Sequence, residues 1–251
     1  MKSLILAAGR GTRINEITKN HHKCLIKIKK KSILQWQIEA LNTFSKKICI
    51  VTGYNQNKIK DKLKKIKNIT FIKNNEWQSS NMFYSLLCAR EWIDNDDLII
   101  SYSDIFYSKI AVKKLYETKS DISIIYDPNW LELWDMRFNN PLDDAETFKL
   151  DSFSCLREIG RKPNTIKECE GQFIGLIKIS RNGWSIINRN ISIIKDKIKK
   201  IDTTSLLNFL ILKKVKITAI PMSDRWGEVD TLNDYKLYKK LLNQNYFKWM
   251  K

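Results

Sequence analysis

The stretch Leu4-Ile5-Leu6-Ala7-Ala8-Gly9-Arg10-Gly11-Thr12-Arg13 opens as a short apolar run and ends in small residues and a Gly-x-Gly-x-Arg turn. The run is brief, apolar and punctuated by glycine, which predicts a buried strand. Ala8, Gly9 and Gly11 lack the bulk that keeps a ligand off the backbone. Successive exposed N–H groups in such a turn form a concave anion site, and Arg13 adds a planar cationic fork. The stretch reads as a polyphosphate cradle at the end of a first strand; the glycine pair taken alone reads sooner as a tight strand-to-loop turn. It is neither a dinucleotide fingerprint, whose third glycine would fall at Ile14, nor a P-loop, since no Gly-Lys-Ser/Thr closes it.

Working outward, strands and helices alternate. Ser32 is placed to cap a helix carrying Ile33, Leu34, Ile38 and Leu41. A second strand is predicted over residues 47–53, ending at Gly53, and Asn55 is placed to cap a basic helix. A third strand follows over 69–73. A helix is expected from about Asn81 to Trp92, then a fourth strand over 98–102, in which Tyr102 leads into Ser103-Asp104. A helix near 109–117 and a fifth strand over 122–126 complete the series. This alternation predicts an α/β fold with a mixed, mostly parallel sheet flanked by helices. Its ligand crevice would lie at the carboxyl ends of the strands, where the glycine turn, Gly53 and Asp104 converge. After Tyr126 the pattern changes: 127–147 mixes aromatic and charged residues without clear periodicity. Strands are then expected over 171–180, 215–221 and 226–230, helices over 183–200 and 204–213. Asp230-Thr231 opens a final helix through Leu241.

The chain has 251 residues with 45 basic and 27 acidic side chains, a net charge of +18. Its lysines are scattered over different predicted elements, Lys195 to Lys200 among them, so no nucleic-acid partner is expected. No stretch approaches the roughly 20 apolar residues of a membrane helix. Five widely spaced cysteines without a Cys-x-x-Cys pair argue against a disulfide framework or a zinc site, and a cytoplasmic location is expected. The two histidines, His21 and His22, fall in a polar loop and are expected to be solvated.

The string Leu-Ala-Ala-Gly-x-Gly-x-Arg, with Lys23 ten residues on, resembles the signature of nucleotidyltransferases that activate small phosphorylated compounds. Further blocks resemble the phosphocholine cytidylyltransferase family, whose members act on phosphocholine, 2-aminoethylphosphonate or phosphoglutamine. They are Trp134-x-x-Arg137-Phe138, Asn140-Pro141-Leu142-x-Asp144-Ala145-Glu146-Thr147, Glu170-Gly171-Gln172-Phe173-Ile174-Gly175 and Trp226-x-Glu228-Val229-Asp230. The resemblance implies a Rossmann-like nucleotidyltransferase fold and transfer of CMP from CTP, with Mg²⁺, to a small phosphorylated or phosphonate acceptor. It implies a single domain with a nucleotide-binding half (1–126), an acceptor-binding half (127–242) and a tail (243–251).

Carried over by position, Leu6 to Arg13 and Lys23 would hold the CTP phosphates. Gly53, Asn81 and Tyr102 would lie near the nucleotide. Asp104 and Asp230 would hold Mg²⁺, which takes oxygen ligands and is commonly held by one or two carboxylates. Taken alone, Asp104 would be a turn residue and Asp230 a helix cap. His22 stands where the family has proline. Without that fixed φ the loop at Lys23 is expected to be more mobile, which makes Arg13 the firmer assignment. On the acceptor side, Trp130, Trp134 and Trp226 could face a cationic head group. Asp144, Glu146 and Glu170 could pair an amine, Arg137 could meet a phosphate or carboxylate, and Gln172 and Glu228 belong to the same blocks. Equally, the tryptophans could be core and Arg137–Asp144 an ion pair. A sugar-1-phosphate nucleotidyltransferase and a non-catalytic binding module are the alternatives. The aromatic tail could contact a second subunit, so a monomer or a homodimer is expected.

Overall fold

The computed structural model describes residues 1–14, 22–93, 96–193 and 198–250; His21, Lys195 and Lys251 lie outside them. β1 (Lys2–Ala7) is the apolar run before the glycine turn. It is followed by β2 (Lys27–Ile28), β3 (Lys31–Ser32), β4 (Ile48–Thr52), β5 (Ile69–Lys73), β6 (Leu98–Tyr102) and β7 (Ile105–Phe106). The second half supplies β8 (Ile122–Asp127), β9 (Phe148–Leu150), β10 (Leu156–Ile159), β11 (Gln172–Ile179), β12 (Thr218–Pro221) and β13 (Gly227–Glu228). The main sheet has the order β12-β8-β11-β6-β1-β4-β5.

β1 runs parallel to β4 and β6, with Ala7 opposite Thr52 and Leu6 opposite Tyr102. That register ends three strands at one rim, so Ala8, Gly53 and Ser103-Asp104 emerge side by side. β5 and β12 extend the parallel pairing, while β11 runs antiparallel to both β6 and β8. The sheet is therefore mixed and mostly parallel. Successive residues point to opposite faces: Ile5, Ala7, Ile50 and Ile99 join one buried cluster, and Leu4, Leu6, Val51 and Ile100 the other. Helices cover both faces, which is why β1 reads as a continuous apolar run.

Ser32 caps the helix Ile33–Asn42 through a reciprocal box with Gln35. Asn55, by contrast, takes a left-handed conformation (φ 48) and makes no side-chain cap bond. Thr231, not Asp230, caps the last helix, Leu232–Asn243, in a box with Asp234. Asp230 is thereby spared a capping role. The helix expected over 81–92 breaks into Met82–Cys88 and Arg90–Ile93, and the one expected over 183–200 spans Arg181–Ile191. The aperiodic stretch 127–147 contains a helix, Trp130–Arg137, whose buried Trp130, Leu133 and Trp134 obscure any single polar face. The tail folds back on its own chain: Phe247 packs on Phe106 and Tyr238, and Trp249 meets Trp36 edge-on. No helix among the described residues is long and apolar enough to cross a membrane.

One small ladder matters most for the site. β13 pairs antiparallel with β7, Gly227 opposite Phe106 and Glu228 opposite Ile105, and Val229 N donates to Asp104 O at 3.0 Å. Asp104 and Asp230, distant in sequence, are brought together by it. A Cβ on Gly227 would lie 2.3 Å from Phe106 Cζ and 2.9 Å from Tyr238 Cε1. Both rings are fully buried and have no room to swing aside. Gly227→Ala is expected to destabilise the fold by about 1–3 kcal/mol and to lower turnover by prising the ladder apart. An unchanged melting temperature and rate would show that the ladder yields freely.

Candidate active site

At the rim of β1, β4 and β6 lies a cleft of about 310 Å³. Leu6, Ala8, Gly9, Gly11, Thr12, Arg13, Lys23, Asn81, Tyr102, Asp104 and Asp230 line it. Ala7 is buried just beneath. Gly53 backs it from β4, where a Cβ would meet Ala8 O at 2.5 Å and Trp77 Cβ at 2.6 Å. Arg10 turns outward over the Tyr54 ring, 5.5 Å from its centroid. Asn81 caps Met82–Cys88, its Oδ1 accepting from Met82 N at 2.9 Å. The cleft also takes in His22, Trp77, Ser80, Met82, Ser85 and Ser103, which the sequence reading did not select. A lone tryptophan in the polar, turn-rich run 74–80 was the available signal for Trp77.

His22 corrects an expectation, because it is buried rather than solvated. It caps the turn Lys23–Leu25, its Nδ1 accepting from Cys24 N at 3.3 Å. Burial pushes its pKa down to about 4, so the imidazole is neutral at physiological pH. This cap does the local work expected of proline. Lys23 is accordingly well held, with its side chain only 9% exposed. Gly11, at φ +66, has no Cβ to press on the Lys23 stem, which passes 3.1 Å from where that atom would sit.

The Lys23 ammonium lies 3.0 Å from Asp104 Oδ2 and also donates to Asp230 Oδ1. Arg13 Nη2 reaches Asp230 Oδ2 at 3.2 Å from a largely exposed side chain. Burial works against the charge on Lys23, but Asp104, Asp230 and Glu228 outweigh it and hold the ammonium above its ordinary range. Burial likewise opposes ionisation of Asp230, yet Lys23, Arg13 and Arg137 keep its carboxyl below the usual range. Glu228 goes the other way: burial and the neighbouring Asp230 push its carboxyl up, against the pull of Arg137.

Oxygens of Asp104, Glu228 and Asp230 all lie within 4.8 Å of one another. Glu228, expected on the acceptor side, thus belongs to this acid cluster. The donor set is all oxygen, as Mg²⁺ prefers, and Asp104 Oδ1 is buried without a hydrogen-bond partner among the described residues. The residues present fit a hard divalent cation.

The acceptor-side residues divide. Trp134 and Trp226 are 4% and 2% exposed and line no part of the cleft, so they are core. Trp226 Nε1 donates to Asp127 Oδ2 at 2.8 Å, and Trp130 Nε1 to Cys169 O at 3.0 Å. Arg137 is sealed from solvent and pairs with Glu228 and Asp234 rather than with Asp144. Glu170 is an exposed strut, its Oε2 accepting from Leu150 N at 2.8 Å. Gln172 grips the backbone of Glu146 from both sides, at 3.0 and 2.6 Å. Burial, with Asp202 and Asp144 close by, pushes the Glu146 carboxyl up to about 7. Burial also raises Asp144, against Arg137. Asp202 and Asp144 thus both act on Glu146, and burial raises the Tyr102 hydroxyl, with Asp104, Glu146 and Asp202 adding to the shift.

Residues 3–130 match the MobA-like NTP transferase domain. Over 94% of its length the chain is 34% identical to the CTP:phosphoglutamine cytidylyltransferase of Campylobacter jejuni subsp. jejuni, of which it spans 98%. The chain belongs to the phosphocholine cytidylyltransferase family of nucleotidyltransferases. The enzyme is also 34% identical to the choline-phosphate cytidylyltransferase of Streptococcus pneumoniae, over 42% of this chain and 46% of that one. The solved structure of the inositol-1-phosphate CTP transferase from T. maritima superposes on it with a TM-score of 0.77. That match covers 96% of this chain and 95% of the other at 14% identity, a likeness of fold. The matched domain ends before Glu228 and Asp230, so β13 brings two of the enzyme's cluster acids in from outside it.

Proposed function

We propose that the enzyme transfers CMP from CTP to a small phosphorylated or phosphonate metabolite that carries a cationic amine, in the presence of Mg²⁺. Lys23 carries this reading. Its stem lies against Gly11 of the phosphate cradle and its ammonium touches both Asp104 and Asp230, so one residue joins the triphosphate site to the acid cluster.

In the proposed reaction an ionised oxygen of the acceptor attacks the α-phosphorus of CTP. A new P–O bond forms, the bond to the β-phosphate bridging oxygen breaks, and its electron pair leaves with pyrophosphate. The acceptor arrives already ionised, so no general base is required. Catalysis is then alignment plus charge neutralisation. Backbone amides of the Gly9–Arg13 turn, with Arg13 and Lys23, take the triphosphate charge. Asp104 and Asp230, with Glu228, would hold Mg²⁺, which when bound neutralises charge on the α-phosphate. Asn81, Ser80 and Ser85 offer polar atoms to the nucleoside. The neighbouring carboxyl groups of Asp144, Glu146 and Asp202 suit an amine. The product would be a CDP-activated head group for decorating a surface glycan or lipid. The free thiols of Cys24, Cys49, Cys88, Cys155 and Cys169 suit a reducing cytoplasm.

Pyrophosphate release, measured for each NTP against phosphocholine, 2-aminoethylphosphonate, phosphoglutamine and glucose-1-phosphate, tests this. Turnover is expected with CTP and an amine-bearing acceptor. Turnover with the hexose phosphate alone would make it a sugar-1-phosphate nucleotidyltransferase, and none with any pair would leave only a binding module. Glu146→Gln should raise the acceptor KM about tenfold, as loss of one charged hydrogen bond does, and leave that of CTP unchanged. Acceptor KM should also fall in the wild type as pH rises through about 7, where Glu146 ionises. In the variant only the acceptor's own phosphate ionisation, at about pH 6, should remain; an undiminished step at about 7 would place the amine elsewhere.

A further inference from the structure

Behind the acid cluster, away from the cleft, lies a second pair of charges that the proposed chemistry does not use. The Arg137 guanidinium has no solvent exposure and comes from the helix Trp130–Arg137. Its Nε donates to Asp234 Oδ1 at 2.9 Å and its Nη1 to Glu228 Oε2 at 3.1 Å. Its Nη2 stops 4.0 Å short of Asp230 Oδ2 and has no hydrogen-bond partner among the described residues. The rings of Trp134 and Phe138 flank it, with centroids 5.2 and 5.0 Å away.

Asp234 is the other half. While Oδ1 accepts from Arg137, Oδ2 accepts from Asp230 N at 2.9 Å, Thr231 N at 2.7 Å and Thr231 Oγ1 at 2.9 Å. One cluster acid is therefore tied through its side chain and another through its backbone, and both ties end on the same buried pair. Glu228 N in turn donates to the buried Tyr238 hydroxyl at 3.0 Å.

We propose that Arg137 and Asp234 are positioning residues that preset Glu228 and Asp230 for a divalent cation, so that they govern the enzyme's metal affinity more than its CTP affinity. This rests on the metal reading of the cluster given above. Charge and geometry predict opposite signs here. Arg137 repels an incoming cation, so as a charge alone its loss would tighten metal binding. As a positioning group its loss frees Glu228 and unseats the Asp230 backbone, which weakens binding. Lysine keeps the charge but lacks the planar fork needed to reach Glu228 and Asp234 together. Arg137→Lys therefore separates the two effects. Asp234→Asn retains an acceptor for the Asp230 and Thr231 amides while removing the charge paired with Arg137.

The test is paramagnetic titration of Mn²⁺ with the full-length enzyme and CTP, alongside CTP binding with all metal chelated. Both variants should raise the Mn²⁺ dissociation constant roughly 10–100-fold, as loss of outer-shell support does, with metal-free CTP affinity close to wild type. Turnover should return towards wild type at high Mn²⁺. Wild-type or tighter Mn²⁺ binding in the variants would overturn the inference. So would a parallel loss of Mn²⁺ and CTP affinity, which marks a merely structural role. Should Arg137→Lys fail to fold, Arg137→Gln decides by the same criteria, because loss of the positive charge alone would tighten Mn²⁺ binding. If the wild-type enzyme binds no Mn²⁺, the metal reading itself fails and takes the inference with it.

Discussion

Replacing Asp230 with asparagine is expected to lower kcat by at least about 10²–10³-fold, the scale set by removing one preorganised charge-stabilising group, while the protein still folds. Asp230 is ionised in the folded protein, since Lys23, Arg13 and Arg137 together overcome the burial that opposes its charge. Asparagine has the same shape and keeps an oxygen for the Lys23 ammonium. The backbone at 230 stays anchored to Asp234. Removing one member of a buried pair often costs about 3–5 kcal/mol because a charge is left alone, but Lys23 retains Asp104 at 3.0 Å. The loss of stability should therefore fall below that range. What disappears is an anionic oxygen in the cluster with Asp104 and Glu228. Single-turnover rates across a Mg²⁺ titration, beside thermal melts, check this. Rates near wild type at limiting Mg²⁺ would show that the cation is held elsewhere.

The frame around that site was legible for a physical reason. β1 is apolar on both faces and stops at two small residues and a glycine, so its burial and its ligand edge are written in the same ten residues. Asp104 was readable because it directly follows the expected strand. Asp230 was readable because a Trp-Gly-Glu-Val-Asp string precedes a helix start, although the cap itself is Thr231. From sequence alone Glu228 and Arg137 read as acceptor residues, because their placement depends on pairings without periodicity. β7 and β13 are two residues each, too short to show an alternation. The fate of the tryptophans was hidden for another reason. An indole in an acidic, aromatic segment has the composition of a cation cage, but here Asp127 and the Cys169 carbonyl satisfy Trp226 and Trp130 internally. Composition does not tell which acceptor an N–H finds.

The contrast in burial between Lys23 and Arg13 carries a second expectation. A missing proline at position 22 ranks Arg13 as the firmer phosphate ligand, yet His22 supplies a cap in place of the fixed φ. Arg13 is 65% exposed with one contact to Asp230, whereas Lys23 is buried between two acids. A long exposed side chain gives up much of its interaction energy to solvent and to its own entropy; a buried, preoriented one does not. Lys23→Met is therefore expected to lower kcat/KM for CTP by about 10²–10³-fold, and Arg13→Met by only about tenfold. The lysine variant should also carry a second signature. Its ammonium touches the same carboxylates that would hold Mg²⁺, so removing it deletes a competing cation and leaves Asp104 and Asp230 with uncompensated charge. Half-saturation by Mg²⁺ should then fall while the KM for CTP rises. Steady-state kinetics over a matrix of Mg²⁺ and CTP concentrations separates the two. If Arg13→Met proves the more damaging change, or Lys23→Met weakens Mg²⁺ and CTP together, then Lys23 is a structural counter-ion and the cradle depends on Arg13.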